Sequence, residues 1–161
     1  MESSSPAHVL VVAHKTAATP ALLEAVRERA ARGPAWFHLL VPNPHPPGWR
    51  PAQAGHPNVT EGEQVLALAL PLIEEATHRP VDGSVSPRHD PMDAIEEALH
   101  DGDFDEIILS TLPRSVSRWL HMDLPRRVEH LGLPVTTVIA QAASAIGPVR
   151  ASVASRRVID R

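Results

Sequence analysis

Apolar residues in this chain come in short solid blocks separated by stretches of helical spacing. His8 to Ala13 (HVLVVA) is a continuous, β-branched apolar run, the pattern of a strand buried on both faces. Trp36 to Val41 (WFHLLV), Phe104 to Leu109 (FDEIIL) and Pro134 to Ala140 (PVTTVIA) read as further strands. Val81 to Ser86 is a weaker one, interrupted by Asp82-Gly83. Between the strands the period lengthens. Thr19-Pro20 reads as an N-cap followed by proline at the first helical position. Leu22, Leu23, Val26 and Ala30 form a stripe behind it, closed by Gly33-Pro34. Thr60 to Glu63 fits a capping box before a helix carrying Val65, Leu66, Ala69, Leu72, Ile73 and Ala76. Pro71 lies inside that helix and is expected to kink or split it. Asp90-Pro91 opens another helix, with Ile95, Ala98 and Leu99 inward and Gly102 at its end. Asp123, or Leu124-Pro125, opens the last, with Val128 and Leu131 facing the core.

The resulting order, β-α-β-α-β-α-β-α-β, predicts an α/β fold: a single doubly wound, five-stranded parallel sheet of Rossmann-like order 3-2-1-4-5. Residues 7–140 form this domain, after a flexible N-terminus at 1–6 and before a loose, arginine-bearing tail at 141–161. A strand from Pro148 to Val153 that pairs with a partner chain is a minority alternative. A proline-rich segment, 42–58, holds prolines at 42, 44, 46, 47, 51 and 57 and can be neither helix nor central strand. It reads as a surface excursion, disordered or a functional lid, with disorder favoured. In the predicted order the first and fourth strands are neighbours whose connections leave to opposite sides. Ligands bind in the crevice beyond such a pair.

Two polar clusters meet at that crevice. His14, Lys15 and Thr16 leave the first strand. Ser110 to Arg118 follows the fourth, a loop with Ser110, Thr111, Ser115 and Ser117 as hydroxyls and Arg114 and Arg118 as cations. Together they would bind an anion through charge-assisted and hydroxyl hydrogen bonds, with free N–H groups at the turn beginning near Arg118. The plainer alternative is that Ser117 caps that turn, Asp123 caps the next helix, and His14 and Lys15 face solvent.

Composition narrows the function classes. The 161 residues contain no cysteine, which removes disulfides, thiolate metal sites and cysteine nucleophiles. Phe and Trp are rare and Tyr is absent, so the core is aliphatic. The segment from Glu61 to Glu106 holds 13 of the 19 acidic residues, whereas eight arginines follow Ile107. That asymmetry fits an anion-tolerant C-terminal half or simply solvated helix faces. A net charge of −4 with few aromatics argues against nucleic-acid binding. No apolar stretch is long enough for a membrane span, and Met1 to Pro6 does not read as a secretory leader, so a cytoplasmic protein is expected. The ten histidines lack metal-ligand spacing. No Gly-x-Ser-x-Gly elbow or placed acid/base pair marks a hydrolase, so no catalytic residue is assigned.

The layout resembles the universal stress protein family of the adenine-nucleotide α-hydrolase-like superfamily, over roughly Ala7 to Ala140. HVLVVAHKT stands where that family has its first strand and turn. HDPMDAIEEAL is similar to its Gly-Asp-Pro-x-x-Ala-Ile segment, and FDEIILSTLPRSVSRWLHMDLPRRVEHLGLPVTTVI to its fourth strand, phosphate loop, last helix and fifth strand. ATP-binding members carry Gly-x-x-Gly, nine residues, then Gly-Ser/Thr. Those glycines fall here at Ser110, Pro113 and Asp123 (allowing a one-residue gap), with Leu124 at the Ser/Thr, and the family's acidic residue after strand one is His14. The resemblance implies a non-enzymatic protein of stress response or signalling and an isologous homodimer through strand five, at Val135, Thr137 and Ile139. It requires no cofactor; an adenine nucleotide or another small anion is the candidate ligand. A ligand-free interaction dimer is the alternative, and a nucleotide-dependent hydrolase or transferase a more distant one. Abundant Ala, Arg and Pro suit a GC-rich bacterial genome.

Overall fold

A computed structural model describes residues 5–42, 61–88, 90–113 and 115–140. Strands β1 (Ala7–Val12), β2 (Ala35–Val41), β3 (Val81–Val85), β4 (Glu106–Thr111) and β5 (Val135–Ile139) form one sheet in the order β3-β2-β1-β4-β5. Every pairing is parallel. Helices α1 (Pro20–Ala31) and α2 (Glu61–Thr77) cover one face. Helices α3 (Pro91–Asp101) and α5 (Leu124–Glu129) cover the other, and the single turn α4 (Arg118–His121) precedes α5. This is the expected fold and strand order.

Alternation along the strands divides the core in two. Val9, Val11, Phe37, Leu39 and Ile108 point toward Leu22 and Val26 of α1 and Ala69 and Ile73 of α2. Leu10, Val12, Leu40, Ile107 and Leu109 point toward Met92 and Ile95 of α3 and Leu124 and Val128 of α5. The central strands bury both sets completely, which is why β1 reads as an unbroken apolar run. Each such Val, Leu or Ile contributes about 1.5–3 kcal/mol by leaving water.

The helix starts follow their sequence signals. The Thr19 hydroxyl accepts from the Leu22 amide at 3.4 Å, and the Asp90 carboxylate accepts from the Met92 amide at 2.8 Å. Thr60 of the expected capping box lies outside the described residues, as do positions 1–4, 43–60 and the tail 141–161.

One expectation is narrowed and two need correction. Pro71 does not split α2, which runs as one helix from Glu61 to Thr77. Pro71 and Ala67, whose carbonyl loses its helical partner, are both exposed, so water can take that carbonyl. Strand β4 begins and ends two residues later than the apolar run, because Ser110 and Thr111 pair with Val138 and Ile139 of β5. Both hydroxyl residues therefore stand at the end of a buried strand, ahead of the loop. Asp123 does not cap α5 through its side chain. At φ 59 and ψ 33 it is left-handed, far from the extended conformation an N-cap side chain needs.

Candidate functional site

The C-terminal ends of β1 and β4 sit side by side, and the chain leaves them in opposite directions. From β1 it turns through His14 to Thr16, with the Ala17 amide donating to the His14 carbonyl and the Thr19 amide to the Thr16 carbonyl. The Thr19 side chain also donates to the Thr16 carbonyl at 2.9 Å, fixing the turn against the start of α1. From β4 the chain passes to Ser117, whose hydroxyl accepts from the Leu120 amide at 3.0 Å and caps α4. A cavity of about 530 Å³ opens between the two exits. That volume lies within the roughly 300–1,000 Å³ usual for small-molecule sites.

The two predicted clusters do converge. Thr16 Oγ1 and Ser110 Oγ are 2.6 Å apart across 94 positions of sequence, and both residues are almost fully buried. Between them these hydroxyls hold two protons, of which their mutual bond uses one, so one donor remains for a ligand or water. Ser117 spends an acceptor site on its cap and keeps its own proton free to donate. Thr111 donates to the Leu112 carbonyl at 3.1 Å and keeps acceptor capacity.

His14, Lys15, Thr16, Ser110, Thr111, Ser117 and Arg118 all line the cavity. Ser115 does not: it is exposed, on the turn that the Val116 amide closes onto the Pro113 carbonyl. Arg114 lies outside the described residues. Lys15 and Arg118 are exposed at the rim, whereas His14 is buried with its Nε2 3.7 Å from a Glu61 carboxylate oxygen. His14 therefore faces α2, in contrast to the solvent-exposed alternative.

Several lining residues were not anticipated. Glu61 and Asp90 bring carboxylates from the first turn of α2 and the N-cap of α3. Parallel strands deliver the chain to this edge of the sheet, so the helices that follow begin beside the cavity. The Asp90-Pro91 signal marked the helix start; only the topology puts it here. Trp119, Met122, Val116 and Leu112 supply an apolar wall. Trp119 rests partly buried on the α3/α5 cluster while also lining the cavity. The cavity is thus amphipathic, lined by cations, hydroxyl donors, two carboxylates, an indole and a thioether.

Asp123 adds a further point. It stands where the resemblance aligns a family glycine, and its backbone holds the left-handed conformation glycine adopts most readily. Among the described residues no group of three or more His, Asp or Glu could hold a metal ion, and no helix is long and apolar enough to cross a membrane.

The sequence matches no protein-family profile and none of the curated proteins. Solved structures do share its fold. The universal stress protein from Archaeoglobus fulgidus superposes with a TM-score of 0.56 at 14% identity, over 82% of this chain and 93% of that one. The universal stress protein from Archaeoglobus fulgidus in complex with dAMP gives 0.53 at 15% identity, over 83% and 98%. The chain has the universal-stress-type α/β fold.

Proposed function

We propose that this protein is a non-enzymatic, universal-stress-type binding protein that takes an adenine nucleotide or a related anionic small molecule in the β1/β4 cavity and acts in stress response or signalling. The observation that carries this reading is the buried Thr16–Ser110 hydroxyl pair, which ties the two strand exits into the floor of one cavity. Lys15 and Arg118 at the rim, with the free hydroxyl protons of Ser117 and of the Thr16–Ser110 pair, suit a phosphate. Trp119 and Met122 suit the face of a base. Glu61 and Asp90 would repel a phosphate placed beside them, so they suit ribose hydroxyls or an exocyclic amine at the other end. A structure of this fold with dAMP supports the choice of ligand class.

Calorimetric titration with dAMP, AMP, ATP and cyclic AMP tests the reading. Saturable binding that weakens in Lys15→Ala and Arg118→Ala is expected. Absence of heat at millimolar ligand removes nucleotide binding as the function and leaves the ligand-free dimer.

Dimerisation belongs to the same proposal. β5 lies at an edge of the sheet, and Ile139 on it is 47% exposed, so Val135, Thr137 and Ile139 can pair with a second copy. Light scattering coupled to size exclusion should report a dimer that Ile139→Lys dissociates; a monomeric native protein overturns this part.

A further inference from the structure

At the opposite edge of the sheet, where the strands begin, lies a second cavity of about 390 Å³. Register builds it. His8 is paired with Trp36, and His38 with Asp82, so these four side chains leave the same face of β1, β2 and β3. Helix α3 runs back toward this edge, and Gly102, Asp103 and Phe104 fold over the face at its end. A Cβ on Gly102 would come within 3.2 Å of the Phe104 ring, so the turn carries a glycine where the ring passes closely. The Phe104 ring stands 6.0 Å from the His38 ring, tilted by 60°.

The lining is unlike the rest of the molecule. Of the chain's two Phe and three Trp, the Phe104 and Trp36 rings stand at this one cavity, whereas Phe37 borders it from the strand with its ring packed on the opposite face. Trp36 leaves 47% of its surface in water. Asp82 and Asp103 carry the fixed charges, and among the described residues no Lys or Arg lines it. Burial pushes the His38 imidazole below its usual 6.5, against the opposing pull of Asp82, so near pH 7.5 it adds no positive charge. The carboxyl end of α3 adds a partial negative charge at the same side. The exposed Trp36 indole and the half-buried Phe104 ring, beside two exposed carboxylates, attract a cation whose weak hydration lets it shed water, because the ring quadrupole and the carboxylates act together.

We propose that this cavity is a second ligand site, independent of the β1/β4 cavity, and that it binds a small organic cation of the methylated-ammonium class through Trp36, Phe104, Asp82 and Asp103. The indole of Trp36 and the Phe104 ring contact the methyl groups, and the carboxylates neutralise the charge from the rim. A neutral molecule of the same shape gains only the apolar contacts.

The test uses choline, tetramethylammonium and the uncharged isostere of choline in which carbon replaces nitrogen, followed by tryptophan fluorescence and calorimetry on the full chain. Both cations should bind saturably and the isostere should not. Trp36→Ala should weaken choline binding about fivefold or more, and Asp82→Asn should weaken it independently. Both substitutions fall on exposed side chains, and unchanged urea midpoints would verify that the variants fold. Equal binding of choline and its isostere overturns the proposal, as does choline binding that both variants leave intact, or no binding at tens of millimolar. Nucleotide titration of Trp36→Ala separates the sites: it should match the native chain whether or not nucleotide binds.

Discussion

The Thr16–Ser110 contact can be removed from either end or from both, and the three outcomes differ. Its donor and acceptor are 2.6 Å apart, with Thr16 at 2% and Ser110 at 1% exposure. Replacing Thr16 by Val or Ser110 by Ala leaves the other hydroxyl buried without its partner, at a cost of about 1–3 kcal/mol. Replacing both removes the two polar groups together, so the double variant should cost little more than one single, with a coupling of about 1–3 kcal/mol. For a chain of this length, 1 kcal/mol corresponds to roughly 2–4 °C in Tm. Each single variant should therefore melt several degrees below the native protein, and the double variant close to the better single. Urea unfolding with unchanged slope gives the free energies. Additivity within about 0.5 kcal/mol would refute the reasoning, because it would mean that water from the cavity already satisfies both hydroxyls.

Other consequences can be checked with the same unfolding assay. His78 closes α2 with a positive φ of 58, its amide donating to the Glu74 carbonyl. His78→Gly should stabilise by about 0.5 kcal/mol, since relief of left-handed strain exceeds glycine's added unfolded-state entropy; a loss of stability would contradict it. A Cβ on Gly83 of β3 would lie 2.5 Å from Leu66 Cδ2 and 3.3 Å from the Leu39 carbonyl, so Leu66 would have to shift. Gly83→Ala should cost about 1–3 kcal/mol by overpacking α2 against the sheet; an unchanged urea midpoint would contradict it. Finally, the folded-state pKa of His38 is lowered by burial, so the unfolded chain takes up more protons as pH falls through 6.5. The native protein should lose stability from pH 7.5 to 5.5 by more than His38→Gln does, and parallel pH profiles would show that His38 contributes nothing.

Sheet order and core were legible because they rest on periodicity. A run such as HVLVVA has to be buried on both faces, and five strand segments separated by helical stripes leave few parallel topologies. The site was legible in part. Strand order alone brought Thr16 to Ser110, and hydroxyl and cationic residue types marked both ends. What escaped depended on three-dimensional placement. Ser110 and Thr111 look like loop residues, yet pairing with β5 holds them in a buried strand. Ser115 sits exposed on the turn that the Val116 amide closes onto the Pro113 carbonyl and does not line the cavity. Glu61, Asp90 and Trp119 reach it only because α2, α3 and α4 all start at that edge of the sheet. Asp123 carried an apparent capping signal, but its side chain would need an extended backbone and the loop imposes a left-handed one. The aromatic cavity at the other edge escaped altogether, since Trp36, Asp82 and Phe104 are far apart in sequence and meet only through strand register and the connection that follows α3.

The central claim, that the β1/β4 crevice is a ligand site, is tested most directly by amide NMR during titration with dAMP. Saturable shifts should concentrate at Thr16, at Ser110 and Thr111, and at Ser117 and Arg118, and they should weaken in Lys15→Ala. A flat spectrum at millimolar nucleotide, or shifts confined to residues outside this crevice, would contradict the claim.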